Sequence, residues 1–371
     1  MPAGVYLHIP FCKSRCSYCD FATDVYRSSD AVERYVAALC AEVGTTCGSG
    51  WLNADIDTIY FGGGTPSLLE PEQVEKIINS VSSVFSVAEC HEITMEMNPA
   101  TVTPEKLAAY RELGVNRASF GVQTFNDRDL KLLARGHDAN DARQTYRMLR
   151  DAGFTNISFD LIAGLPGQTM HDWQRNLDEA VAMSPEHISL YLLEIHESTP
   201  LAEQVRSGRR TPIDDELAAE MYEVMLDRLA AAGYAQYEIS NFAKPGFESR
   251  HNTKYWALKP VFGFGVSAHS FNGSERYANE RDTAKYVEMI EASGSAETYR
   301  EQIDLASETA FLGLRLTEGI EIAVYQEKFG IDLVKMTASL AEKGLIETSA
   351  GRVRLTRRGM LFSNEVFAEF V

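Results

Sequence analysis

Polarity along the first two-thirds of the chain follows two alternating rhythms. Short runs with a period of two fall at 5–9, 57–61, 92–97, 117–122, 156–162 and 187–193. Amphipathic helical stretches lie between and after them, near 30–46, 71–85, 104–113, 138–152, 169–184 and 214–233. Six repeats of strand then helix predict a parallel sheet, open or closed.

The parity of the strands narrows this choice, because successive side chains point to opposite faces. One parity is apolar: Val5, Leu7 and Ile9; Ile59 and Phe61; Ile93, Met95 and Met97; Phe120 and Val122; Phe159 and Leu161; Leu190 and Leu192. The other is polar or small: Tyr6 and His8; Thr58, Tyr60 and Gly62; Thr94 and Glu96; Ser119, Gly121 and Gln123; Ser158 and Asp160; Ser189 and Tyr191. An ordinary eight-stranded barrel fills its interior with Val, Ile and Leu. Here the apolar parity would meet the helices and the polar parity would line a lumen that needs polar occupants. The expectation is an α/β fold, a wide six-stranded partial (β/α) barrel spanning 1–235. An open doubly wound sheet is the alternative.

The rhythm stops near residue 236. Residues 236–280 are rich in Gly, Pro and aromatics, and are expected to form a separate irregular segment. Residues 281–371 are expected to form a small α+β, winged-helix-like domain. Its helices fall near 282–292, 305–315, 320–329 and 332–343, its hairpin strands at 345–348 and 352–356, and a last helix follows. Arg352, Arg354, Arg357 and Arg358 cluster at that hairpin; a solvated edge and a nucleic-acid surface are the two readings, the first favoured.

Composition restrains the function. With 371 residues and 45% hydrophobic content, the chain suits a large α/β domain plus a smaller one. Thirty-five basic against 53 acidic residues leave a net charge of −18. Such a chain repels phosphate backbones and anionic lipid. No apolar run approaches a bilayer span. The N-terminus lacks a basic segment leading into a long apolar stretch, so no signal peptide is read and a cytoplasmic location is expected.

Three of the six cysteines stand within eight residues, Cys12, Cys16 and Cys19; Cys40, Cys47 and Cys90 are scattered. The cluster follows the first strand, at the strand end where barrel chemistry sits. Three thiolates at this spacing can wrap one face of an iron–sulfur cube. A closed cluster or structural zinc takes four ligands, yet position 21 is Phe. Three ligands leave one iron open to a small molecule. Zinc with His8 as fourth ligand, and unliganded thiols, are the alternatives. The run Gly62-Gly63-Gly64-Thr65-Pro66 after the second strand exposes backbone polar groups to a close ligand, or else makes only a tight turn.

These cysteines resemble those of the radical SAM superfamily. The wider set YLHIPFC, GGGTP, MEMNP, FGVQTF and FDLIAGLPGQT resembles the oxygen-independent coproporphyrinogen oxidase subfamily, across essentially the whole chain. Within it, two features are similar to the heme chaperones of the HemW branch. Phe21 stands where the oxidases carry a further cysteine, and His251-Asn252-Thr253-Lys254-Tyr255-Trp256 matches the HNxxYW motif tied to heme. The chain also begins close to its first strand, without the oxidases' longer N-terminal arm.

The resemblance implies a [4Fe–4S] cluster on Cys12, Cys16 and Cys19, with S-adenosylmethionine (SAM) on the open iron. It places Gly63, Gly64 and Thr65 beside the methionyl group, and Glu96 and Gln123 on the cofactor. Arg135 would clamp the SAM carboxylate with its fork of donors, Asp160 would accept from the ribose hydroxyls, and Tyr6 and Tyr18 would stand near cluster and cofactor. Heme is the further ligand implied, with His251 as its candidate axial ligand and His269 as second choice; Tyr255 and Trp256 would pack on the macrocycle. The implied partners are a heme-acceptor protein and an electron donor such as a flavodoxin or ferredoxin. The implied role is heme delivery, with oxidation of a porphyrinogen as the alternative.

Overall fold

The computed structural model describes residues 2–45 and 54–370; Cys47 and the last residue of the first expected helix lie outside them. Six parallel strands run Ala3–Ile9, Asp55–Gly63, Ser86–Met97, Arg117–Gln123, Ile157–Ala163 and His187–Leu192, hydrogen-bonded in that order. The apolar parity packs outward against the helices Ser29–Thr45, Pro71–Val84, Pro104–Glu112, Ala139–Asp151, Met170–Met183 and Asp215–Ala231, in one large core. Val5, Leu7, Phe61, Met95, Phe120 and Phe159 are fully buried there. The polar parity faces inward. This is the six-stranded partial barrel expected from the alternation.

Sequence periodicity understated the third strand, expected over 92–97. It starts six residues earlier and pairs Asp55 with Ser86 before a register shift brings Thr58 opposite Glu92. The added segment is largely exposed and lacks the apolar alternation that would have marked it.

The Gly- and aromatic-rich segment extends the sheet at both edges. Val261–Phe264 adds a seventh parallel strand beside the first. Three short antiparallel strands continue from it, His269–Phe271, Glu275–Asn279 and Glu297–Gln302. At the other edge Asn241–Ala243 pairs antiparallel with the sixth strand, and Ala235–Glu238 follows it. Strands of three or four residues carry too few positions for alternation to register.

A second core of Ala310, Leu314, Leu333, Leu340, Leu345 and Val353 organises the C-terminal domain around a three-stranded sheet. Its hairpin turns at Ala350 and Gly351, both at positive φ, as a two-residue primed turn requires. Arg352 is ion-paired with Glu321, Arg354 with Glu347, and Arg357 with Glu223 and Asp227. The arginine cluster is thus balanced by acid.

Glu238, buried at the sheet edge, meets Arg315 of this domain at 3.3 Å. The Arg315 guanidinium also lies 4.2 Å above the Trp256 ring. Arg315→Ala leaves a buried carboxylate with only Asn241 and the Ser240 amide as partners. Removing one partner of a buried pair costs about 3–5 kcal/mol, and partial exposure of Arg315 puts this case at the lower end. Urea unfolding is the measurement; an unchanged midpoint would show that the pair does not join the domains.

Candidate functional site

The cysteine loop is fastened to the barrel mouth by its backbone. Phe11–Cys12 forms a short parallel bridge with Asp24–Val25, which closes the loop at its base. Gly64 N–H donates to Ile9 O and Thr65 N–H to Phe11 O, each at 2.8 Å. On the far side Ser17 donates through its amide to Leu133 O at 2.9 Å and through its hydroxyl to Leu132 O at 3.1 Å, and accepts from Leu201 N–H at 2.8 Å. His8 Nε2 donates to Ala22 O at 2.8 Å, so its Nδ1 accepts from Tyr6 at 3.0 Å. Burial drives the His8 pKa down to about 4, keeping the ring neutral in this role.

The glycines make this fastening possible. Gly63 sits at φ +110°, and a Cβ there would meet the His8 ring at 2.7 Å. A Cβ on Gly64 would strike the Pro10 carbonyl group at 2.6 Å. The run expected to face a ligand is therefore also the surface on which the loop rests.

A polar mesh joins the strand ends to two of the thiols. Asn98 Nδ2 donates to Thr65 Oγ1 at 3.2 Å, and Thr65 donates to Cys12 Sγ at 3.5 Å. Arg135 donates to Cys16 Sγ at 3.5 Å, to Gly121 O at 2.7 Å, and to Asn98 Oδ1. Its Nε is buried without a partner among the described residues. Burial pushes the Cys12 thiol up to about 11 and raises Cys19, and the neighbouring thiols add to both shifts. Ligation needs thiolates, so positive charge must arrive with the metal.

Below the mouth the polar parity converges as expected. Tyr60 donates to Glu96 at 2.7 Å, and Gly63 N–H donates to its other oxygen at 3.1 Å. Burial raises the Glu96 pKa to about 7, with nearby Asp160 adding to the rise. Asp160 accepts from Ser119 at 3.5 Å, and burial raises its pKa too. Tyr6 stacks on Tyr60 with ring centroids 6.1 Å apart. Gln123 ends the fourth strand at φ +65° where the pairing register shifts, a strained backbone of the kind found at functional positions. Tyr18 packs against Leu132, Leu133, Ile162 and Leu165 and neighbours Arg135, Cys16, Cys19 and Asp160, with burial raising its hydroxyl pKa well above the usual phenol range.

His251 lies at the opposite end. The short helix Arg250–Trp256 plugs the lumen floor. Glu92 accepts from the Arg250 and His251 amides at 3.3 and 3.2 Å. The His251 ring bonds Thr58 through Nδ1 at 2.9 Å and Tyr255 through Nε2 at 3.1 Å, and stacks on Tyr60 at 5.0 Å. It is 1% exposed, and burial lowers its pKa to about 3. A Cβ on Gly4 would meet Thr58, Lys254 and His251 at 2.8–3.1 Å, so the first strand is carved to admit the ring. In this arrangement both nitrogens are engaged, and iron ligation would require Nε2 to leave Tyr255. Trp256 has one face under Arg315. His269 is exposed at the start of its short strand, which lies between Val261–Phe264 and Glu275–Asn279.

The radical SAM superfamily is matched over residues 6–180 and the HemN C-terminal domain over 301–362. The Bacillus subtilis protein named heme chaperone HemW is 40% identical, covering 99% of both chains. The chain belongs to the HemW family, within the radical SAM superfamily. A Mycobacterium tuberculosis member is 36% identical over 98% of this chain and 94% of its own. The bovine protein named radical S-adenosyl methionine domain-containing protein 1, mitochondrial, is 35% identical over 88% of this chain and 76% of its own. In fold the chain follows coproporphyrinogen III oxidase of Escherichia coli, TM-score 0.87 at 22% identity, covering 100% of this chain and 90% of that one.

The family implies a [4Fe–4S] cluster and SAM, and the residues present fit both. Three thiols share one fastened loop, Arg135 keeps an unused buried donor, and Glu96 supplies acceptors in the lumen. Sequence reading overlooked Asn98 and Ser17, which tie the loop and its thiols to the strand ends. The asparagine-proline step closing MEMNP was the one signal for Asn98; Ser17 carried none.

Glu96 gives a pH test. Its folded pKa of about 7 exceeds the reference of 4.5, so the unfolded chain ionises first as pH rises. The resulting penalty grows between pH 4.5 and 7 and is full above that, about 3 kcal/mol. Glu96→Gln can accept from Gly63 N–H through its one amide oxygen and donate to the Tyr60 hydroxyl oxygen through its NH2, and it removes the penalty. Denaturant unfolding is expected to show the variant more stable by up to that amount at pH 8 and nearly unchanged at pH 5.

Proposed function

We propose that this chain binds heme and delivers it to an acceptor protein, and that Cys12, Cys16 and Cys19 hold a [4Fe–4S] cluster with SAM on its open iron. The observation that carries the cluster reading is a fastened loop with three thiols and no fourth. Phe21 is 67% exposed, Cys40 lies on the first helix, and Cys90 is exposed beside Arg250. Heme as cargo is supported by the relatives named heme chaperone at 33–40% identity.

The division of labour we propose gives residues 1–235 the cluster and cofactor, 236–280 the closure of the lumen, and 281–371 the C-terminal part, in which 283–302 join the main sheet and core and the remainder forms the separate domain. Gly63, Gly64 and Thr65 would flank the methionyl end of SAM, Glu96 and Gln123 would hold its polar groups, Arg135 its carboxylate and Asp160 its ribose. Tyr6 would line the cofactor's lumen, and Tyr18, beside Arg135 and the thiols, would stand near cluster and cofactor. When bound, the reduced cluster supplies the electron that cleaves the sulfonium bond of SAM. The chain's own part is to position the cofactor and exclude water. An electron donor of flavodoxin or ferredoxin type and a cytoplasmic setting complete the proposal; no helix among the described residues is long and apolar enough to cross a membrane.

Metal analysis tests the cluster. Anaerobically reconstituted protein is expected to hold iron and acid-labile sulfide in equal amounts, and Cys16→Ala to lose both. One zinc without sulfide would falsify the reading. Anaerobic incubation with coproporphyrinogen III is expected to give no turnover; turnover would establish the porphyrinogen oxidase alternative.

For His251 the closed geometry supports a structural role at the floor. His251→Ala strips Thr58 and Tyr255 of a buried partner, at an expected cost of about 1–3 kcal/mol. Its Soret titration with heme is expected to match that of the unsubstituted chain. Loss of the Soret change in a folded variant would return His251 to the iron.

A further inference from the structure

A cavity of about 590 Å³ opens beside the barrel mouth, lined by Arg128, Lys131, Leu132, Pro166, Gly167 and Arg210. Its walls come from the segments that follow the fourth, fifth and sixth strands. It adjoins the cysteine loop without being part of it. Leu132 O, on its wall, accepts from Ser17, between Cys16 and Cys19. Leu132 also packs with Leu133, Ile162, Leu165 and the ring of Tyr18. The cavity therefore stands one layer of side chains from the thiols, and at the opposite end of the barrel from His251.

Its chemistry is two-sided. Leu132 and Pro166 give an apolar wall, while three cations converge in a chain of net charge −18. Arg128 is already committed, to buried Asp129 at 2.9 Å and to Asp172 at 3.3 Å. Lys131 and Arg210 are exposed, and neither is in an ion pair among the described residues. Gly167, at φ +78°, would place a Cβ against nothing within 4 Å, so this wall leaves open space above it. The next residue, Gln168, is 3% exposed, and its Nε2 has no partner among the described residues.

A simple inorganic anion would use the cations and waste the wall; an apolar ligand would leave two charges facing it unpaired. The pattern fits a ligand with a flat apolar body and carboxylates along one edge, which Lys131 and Arg210 meet with charge-assisted hydrogen bonds. We infer that this cavity is a binding site for such an amphipathic carboxylate and, resting on the reading of heme as cargo, that it seats the propionate edge of heme at the mouth. Cargo there lies beside the cysteine loop, and the floor around His251 stays closed.

The test uses the full chain, anaerobically reconstituted. Ferric heme and its dimethyl ester are titrated by Soret absorption into the unsubstituted protein, a Lys131→Glu/Arg210→Glu double variant, and a Lys131→Arg/Arg210→Lys control. Loss of two charge-assisted contacts predicts at least about a tenfold weaker Kd for free-acid heme in the charge-reversed variant. The ester is expected to bind all three proteins alike, and the control to behave as the unsubstituted chain. Both positions are exposed and unpaired, so cluster absorbance and thermal midpoint are expected to stay unchanged. Tight heme binding that the charge reversal leaves intact would overturn the cavity as the site while keeping heme as cargo. Absence of any Soret change in the unsubstituted protein would overturn both.

Discussion

Polar side chains inside a partial barrel of parallel strands must find partners, and this requirement organises the molecule. An apolar lumen could collapse into layers of Val, Ile and Leu, as in eight-stranded barrels. Here Tyr6, Tyr60, Glu96, Arg117, Ser119, Asp160 and His187 face inward, and an unpaired buried polar group is costly. The protein meets the cost in two ways. At the floor its own residues pair the two histidines, His187 with Ser158 and Tyr237 and His251 with Thr58 and Tyr255, while buried Arg117 beside them keeps two nitrogens without a partner among the described residues. Toward the mouth Arg135 keeps a buried donor without a partner among the described residues, and Glu96 holds a carboxyl whose ionisation burial resists. The mouth is where the thiol loop is fastened.

That fastening explains why the loop has a shape of its own. Three short stretches of backbone, at Ile9–Phe11, Gly64–Thr65 and Leu132–Leu133, hold it from opposite sides of the barrel. The mesh from Asn98 through Thr65 to Cys12, and from Arg135 to Cys16, carries strand-end geometry to the sulfurs. Hydrogen bonds to cluster sulfurs are one of the ways a protein sets cluster potential. The same residues that align the loop would therefore also tune a cluster held by its thiols.

Much of this was legible in the chain. Strand parity located the barrel, its apolar exterior and its polar lumen, because a period of two survives any tertiary arrangement. The three cysteines and the glycine run were local motifs, readable without a fold. The edge strands were not, since Val261–Phe264 and Asn241–Ala243 are too short to show a period and gain their hydrogen bonds only from neighbours remote in sequence. Ser17 was invisible for the same reason: its importance lies in contacts with Leu132, Leu133 and Leu201.

The sequence by itself determined the alternation, the thiol spacing and the family likeness, all of them properties of nearby residues. Tertiary structure decided which motif does what. The HNxxYW motif shows heme chemistry as a string, but packing turns its histidine into the lumen with both nitrogens engaged. Lys131 and Arg210, unremarkable and 79 positions apart in the chain, meet across one cavity, and neither is in an ion pair among the described residues. Charge balance and hydrogen-bond satisfaction are properties of three-dimensional neighbourhoods, and only the fold assembles those.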